Sequence, residues 1–100
     1  MTSPDQSEPT PRLVSFPLGQ LFITANALHC LTDEDVRLAI HRHSNGDWGD
    51  LETEDQSAND HALAKGGRLL SAYHSTAGTK FYVITEWDRS LTTILLPEDY

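Results

Sequence analysis

An α+β domain in the order β-α-α-β-β-β is the fold the sequence predicts, on three observations. A short alternating apolar segment opens the core-forming part of the chain. Two segments with helix-capping residues and helical apolar spacing follow it. Three runs rich in β-branched and aromatic residues, separated by short turn signals, complete it.

A chain of 100 residues builds one core and not two. Its first residues, MTSPDQSEPTPR, are Pro, Ser, Thr and acid with almost nothing to bury. The expected division is a disordered tail over 1–16 and one domain over 17–100. LGQLFIT, residues 18–24, is short and alternates, which predicts the first strand. Thr32 then offers an N-cap, and Asp33, Glu34 and Asp35 suit the positive end of a helix dipole. Val36, Ile40 and His43 continue at helical spacing, so a helix is expected from about residue 33 to 43, ended by Ser44-Asn45-Gly46.

Thr53-Glu54-Asp55-Gln56 fits a capping box, predicting a second helix from about 54 to 65 that stops at Gly66-Gly67. Its apolar content is thin, so it packs a narrow stripe. RLLSAYHS, KFYVITEW and LTTILLP are the three remaining strands, with turns at Thr76-Ala77-Gly78 and Asp88-Arg89-Ser90. Connections this short predict a three-stranded C-terminal meander within an antiparallel sheet, covered by the two helices on one face.

Composition narrows the function. No run approaches the roughly 20 apolar residues of a membrane helix, and the N-terminus lacks a signal peptide's basic start and apolar core, so a cytoplasmic protein without membrane contact is expected. Cys30 is the only cysteine, which excludes an intrachain disulfide; beside Leu28 and Leu31 it reads as a small buried hydrophobe. The net charge is −8 and unevenly placed. Residues 44–64 hold Asp47, Asp50, Glu52, Glu54, Asp55 and Asp60 and no Lys or Arg, whereas 65–96 is net basic. Such a face repels phosphate backbones, so no direct nucleic-acid binding is expected there.

Four chemistries compete. His41-Arg42-His43 suggests a metal, with Asp47 and Asp50 near in sequence, but helix residues two apart point roughly 200° from each other, and no metal or other cofactor is expected. His74, Glu86 and Arg89 lie on the predicted strands or their turns. They supply the acid, base and phosphate-stabilising groups of a small ribonuclease of RelE-like or barnase-like element order. The plainer reading makes Glu86 and Arg89 an ion pair at a hairpin end.

Nucleophilic catalysis lacks any nucleophile elbow or phosphate-binding glycine loop. Tyr73, Tyr82 and Trp87 read as core or cross-strand residues sooner than as an exposed strip. The fourth reading is recognition of a basic protein surface by the acidic segment. Its plainer counterpart is a solvated face that keeps the protein soluble.

GDWGDL, GGRLLSAY, ITEWDRS and TTILLPEDY together resemble a family of small bacterial proteins carried on plasmids and other mobile or integrated elements, labelled plasmid-related or type I restriction subunit. The resemblance covers about residues 17–100 and transfers no catalytic residue. It implies a mobile-element setting, in which small acidic proteins inhibit host defence, some by mimicking the charge of DNA. The leading expectation is therefore a non-enzymatic protein. It would bind a basic, nucleic-acid-handling partner through Asp47, Asp50, Glu52, Glu54, Asp55 and Asp60, with Trp48 as apolar anchor. The nuclease is the alternative. Homodimerisation through an apolar sheet face is a third reading.

Overall fold

The computed structural model describes residues 15–100. The expected tail lies outside the described residues except at its end, where Phe16 is buried beside Trp48 and Leu69 and so belongs to the core. The elements are β1 (Gln20–Ile23), α1 (Ala25–Cys30), α2 (Asp33–Ser44), α3 (Thr53–Lys65), β2 (Leu69–His74), β3 (Lys80–Thr85) and β4 (Leu91–Leu95), closed by a 3-10 turn at Pro97–Asp99. The mixed α+β class holds, with three helices and a four-stranded sheet among the described residues.

The arrangement differs from the expected one in several ways. First, the sheet is mixed: its order is β1-β4-β3-β2, and β1 lies parallel to β4, Gln20 opposite Leu91 and Ile23 opposite Ile94. The β2–β3 and β3–β4 pairs are antiparallel. The parallel contact needs a long crossover, which the three helices and β2 and β3 supply. Second, α1 had no counterpart in the sequence reading. Thr24 caps it, its hydroxyl accepting from the Ala27 N–H at 3.1 Å, and Ala27 is its buried residue. Cys30 ends this helix and is exposed, against expectation, because the inward positions fall to Ala27 and Leu31.

Helix α2 starts as its sequence demands. Thr32 and Asp35 form a reciprocal capping box, the Asp35 N–H donating to the Thr32 hydroxyl at 3.0 Å and the Thr32 N–H to the Asp35 carboxylate at 3.1 Å. Asp35 also accepts from the Thr76 N–H and hydroxyl, both at 3.1 Å, which ties the helix start to the β2–β3 turn. These bonds, the backbone donors foremost, hold its carboxyl below the usual range.

Strand alternation divides the sheet into two faces. Tyr73, Phe81, Val83 and Ile94 share one face with Ala27 of α1, Leu31 just after it and Ala39 of α2. Each fully buried side chain of this size contributes about 1.5–3 kcal/mol. Beside it, Phe16, Trp48 and Leu69 form a second cluster with Ala62 and Leu63 of α3. Helix α3 thus packs at the β2 edge and does not lie beside α2 over the sheet. On the other face, carrying Leu70, Ala72, Tyr82, Ile84 and Leu95, no α-helix lies among the described residues, yet Ala72, Ile84 and Leu95 are buried; Tyr100 folds back onto this face, its ring 6.0 Å from that of Tyr82. Among the described residues no helix is long and apolar enough to cross a membrane.

Candidate functional site

The densest acidic stretch, GDWGDLETED at residues 46–55, begins where α2 stops. Gly49 is its pivot. At φ 77° it pairs in a parallel bridge with Ala72, and an added Cβ would stand 2.0 Å from the Ala72 carbonyl oxygen. The Ala72 N–H donates to the Trp48 carbonyl at 3.1 Å and the Asp50 N–H to the Ala72 carbonyl at 2.7 Å, so this stretch runs as a short extra strand along β2. One step along, the Asn59 side chain exchanges both of its hydrogen bonds with the Leu70 backbone, at 2.6 and 3.2 Å. Between them the two devices cover an edge that would otherwise invite pairing with another chain.

Trp48, expected as an anchor for a partner, is turned inward and only 3% exposed. Its ring packs beside Phe16 and His43, and its N–H donates to Asp60 at 2.9 Å. Burial was the cheaper use of an indole whose polar end finds a carboxylate. Asp47 is likewise engaged: Arg42 grips it at 2.7 and 3.2 Å while stacking over Tyr73, and the Tyr73 hydroxyl donates to the Asp47 carbonyl at 2.6 Å. Asp50 meets His74 at 2.7 Å. Three of the six acids therefore have structural work.

Glu52, Glu54 and Asp55 do not. They are exposed at the start of α3 and, among the described residues, make no side-chain hydrogen bond or ion pair. The expected Thr53–Gln56 capping box is absent. Pairing with β2 carries the chain to Asp50, Glu52 is the extended N-cap without a side-chain bond, Thr53 is already helical, and the Gln56 amide donates to the Leu51 carbonyl at 2.9 Å. With Asp50, Glu52 and Asp55 rim a cleft of about 300 Å³ floored by Leu70, Ala72, Tyr82 and Tyr100. Lys80 also lines it, its ammonium 5.5 Å from the Tyr82 ring centre.

His74, Glu86 and Arg89 are not brought together. His74 pairs with Lys80 at one end of the β2–β3 ladder, while Glu86 and Arg89 follow the other end, five strand residues or roughly 17 Å away. Glu86 pairs with Arg68 at 3.4 Å and not with Arg89. The Arg89 guanidinium instead donates to the carbonyls of Gly67, Glu86, Trp87 and Ala62 at 2.6–3.2 Å, fastening the end of α3 to the β3–β4 turn. Arg89 accepts φ 61° to do so. His41 and His43 part as expected, His41 exposed and His43 fully buried. Among the described residues no group of three or more His, Cys, Asp or Glu is placed to hold a metal.

What sequence reasoning missed is the buried network around His43, a residue it had placed at helical spacing with Val36 and Ile40. His43 sits under the sheet between Ser71 at 2.6 Å and Thr85 at 2.9 Å, and Thr85 contacts Thr92 at 2.7 Å. The Thr92 hydroxyl donates to the Leu18 carbonyl, so it accepts from Thr85. Thr85 in turn accepts from Nε2–H of His43, and Nδ1 accepts from Ser71. This chain of bonds suits the neutral ring protonated at Nε2. Burial, helped by the positive charge of Arg89, lowers the His43 pKa to about 4. A polar residue on each of three strands at the buried parity was the available signal. No family model, curated protein or solved structure matches the chain.

Proposed function

We propose that the protein is a non-enzymatic interaction module that docks a basic protein surface on the acid-rimmed cleft at the α3 N-terminus. The observation that carries this reading is the split among the acids. Asp47, Asp50 and Asp60 are tied into the fold, while Glu52, Glu54 and Asp55 stand exposed beside an aromatic-floored cleft on the sheet face opposite α1 and α2.

Carboxylates on one rim speed encounter with an opposite patch, and the tyrosines give contact area at low side-chain entropy cost. Lys80 already sits over the Tyr82 ring, so a partner's Lys or Arg would take that place only by displacing the Lys80 ammonium. In the mobile-element setting that the resemblance implies, the partner class is a nucleic-acid-handling defence protein whose basic groove this face occupies in place of phosphates.

The test is competition. A small basic DNA-binding domain loaded with labelled duplex is titrated with the full chain at several salt concentrations. Release of DNA that weakens with salt, and is lost with Glu52→Gln/Glu54→Gln/Asp55→Asn, is expected. Release unchanged by the triple variant would sink the reading.

A further inference from the structure

We propose that β1 is a self-association edge: two copies of the chain pair their β1 strands antiparallel about a two-fold axis through Phe22, joining two four-stranded sheets into one of eight. The two edges of the sheet are treated differently. The β2 edge is covered by the 48–50 stretch and Asn59. At the other edge, the Gln20 N–H donates to Ser90 and the Thr24 N–H to Ile94, both at 3.0 Å, so the even-numbered residues of β1 face β4. Leu21 and Ile23 therefore turn N–H and C=O outward, where nothing among the described residues meets them. The strand QLFI contains no Pro and no charge to discourage pairing.

The outward groups flank Phe22 symmetrically, which is what an isologous contact requires. Leu21 of one copy and Ile23 of the other exchange both hydrogen bonds, and Phe22 meets Phe22 across the axis in the close, non-hydrogen-bonded position. The side chains match: Leu21 is 53%, Phe22 48% and Leu28 63% exposed, beside an apolar groove of about 540 Å³ that reaches Val36 and Ile40. Self-complementarity selects a second copy as the occupant: the outward N–H and C=O groups of Leu21 and Ile23 are each other's partners about Phe22. The one base lining the groove, Arg37, is already paired with Glu34 at 2.7 Å, so among the described residues the groove holds no free cation for an acidic partner. The acidic segment sits at the far edge. The two β2 strands of the dimer stand seven strand spacings or roughly 34 Å apart, several Debye lengths of about 8 Å, so the acids of residues 47–60 do not oppose association.

Sedimentation of the full chain over a concentration series tests this, with Phe22→Cys in a Cys30→Ser background as a geometric probe. A dimer is expected, together with oxidation of the cysteine variant to a reducible cross-linked dimer, because the non-hydrogen-bonded pair lies within disulfide reach. Leu21→Pro deletes an outward donor while sparing the bonds to β4, and Phe22→Lys places charge on the axis. Both become monomers with native-like amide NMR spectra. The Glu52→Gln/Glu54→Gln/Asp55→Asn variant dimerises unchanged, separating this edge from the acidic face. A wild-type monomer at every concentration, a dimer surviving in both folded edge variants, or a dimer of the Phe22→Cys variant that fails to cross-link would each overturn it.

Discussion

Acidification isolates the contribution of His43. Its ring is fully buried, bonded on both sides, and neutral in the fold, with its pKa lowered from 6.5 to about 4. Because the folded pKa lies below the unfolded one, the stabilisation is present in full above pH 6.5. It declines as the unfolded state takes up a proton the folded state refuses, and is exhausted near pH 4. At 1.36 kcal/mol per pKa unit the loss is about 3 kcal/mol, a large fraction of the ~5–15 kcal/mol of a domain this size.

The assay is urea unfolding at intervals from pH 7.5 to 4, on the wild type and on His43→Gln. The Gln amide keeps a donor for Thr85 and an acceptor for Ser71 but does not titrate. The wild type is expected to lose stability across this window, and the variant to start weaker and change less. Asp35 and Asp99, whose carboxyls are held below 3.8 by hydrogen bonds, act later, their contribution being lost only as the pH falls below that value. An identical pH profile in the variant, or an NMR titration of His43 near 6.5, would refute the reasoning.

Gly49→Ala is expected to cost at least 2 kcal/mol in urea unfolding, combining ~1–2 kcal/mol for the left-handed backbone with collision against the Ala72 carbonyl. Arg89→Lys keeps the charge but cannot reach four carbonyls from one point, so it should lower stability by about 2 kcal/mol and detach the end of α3, read as faster amide exchange at Ala62 to Gly67. Trp48 is buried and Trp87 is 70% exposed, so Trp48→Phe should leave red-shifted, readily quenched emission, whereas Trp87→Phe should leave a blue-shifted, protected one.

Local rules made part of this fold legible. The Thr32 cap, the acids behind it and the Gly66 stop of α3 act within a turn of themselves, and they stand where the sequence placed them. Helix α1 was hidden because six residues span too little of a helical period to show a pattern. The parallel pairing of β1 was hidden because its partner lies some 70 positions away. The acidic segment was visible as charge. Its division into engaged and exposed members was not, since that depends on Arg42, His74 and the Trp48 N–H arriving from other elements. Trp48 looked like a contact residue for the same reason: Phe16 and Leu69, which enclose it, are distant in the chain.

The claim that the α3 rim is the working face is tested most directly by titrating isotope-labelled full-length protein with a decalysine peptide and mapping the amide shifts. Saturable shifts confined to residues 50–55, Lys80, Tyr82 and Tyr100 are expected. With each exposed ion pair contributing roughly 0.2–1 kcal/mol, the Glu52→Gln/Glu54→Gln/Asp55→Asn variant should bind about threefold to a hundredfold more weakly. Shifts scattered over the surface, or affinity unaffected in the triple variant, would contradict it.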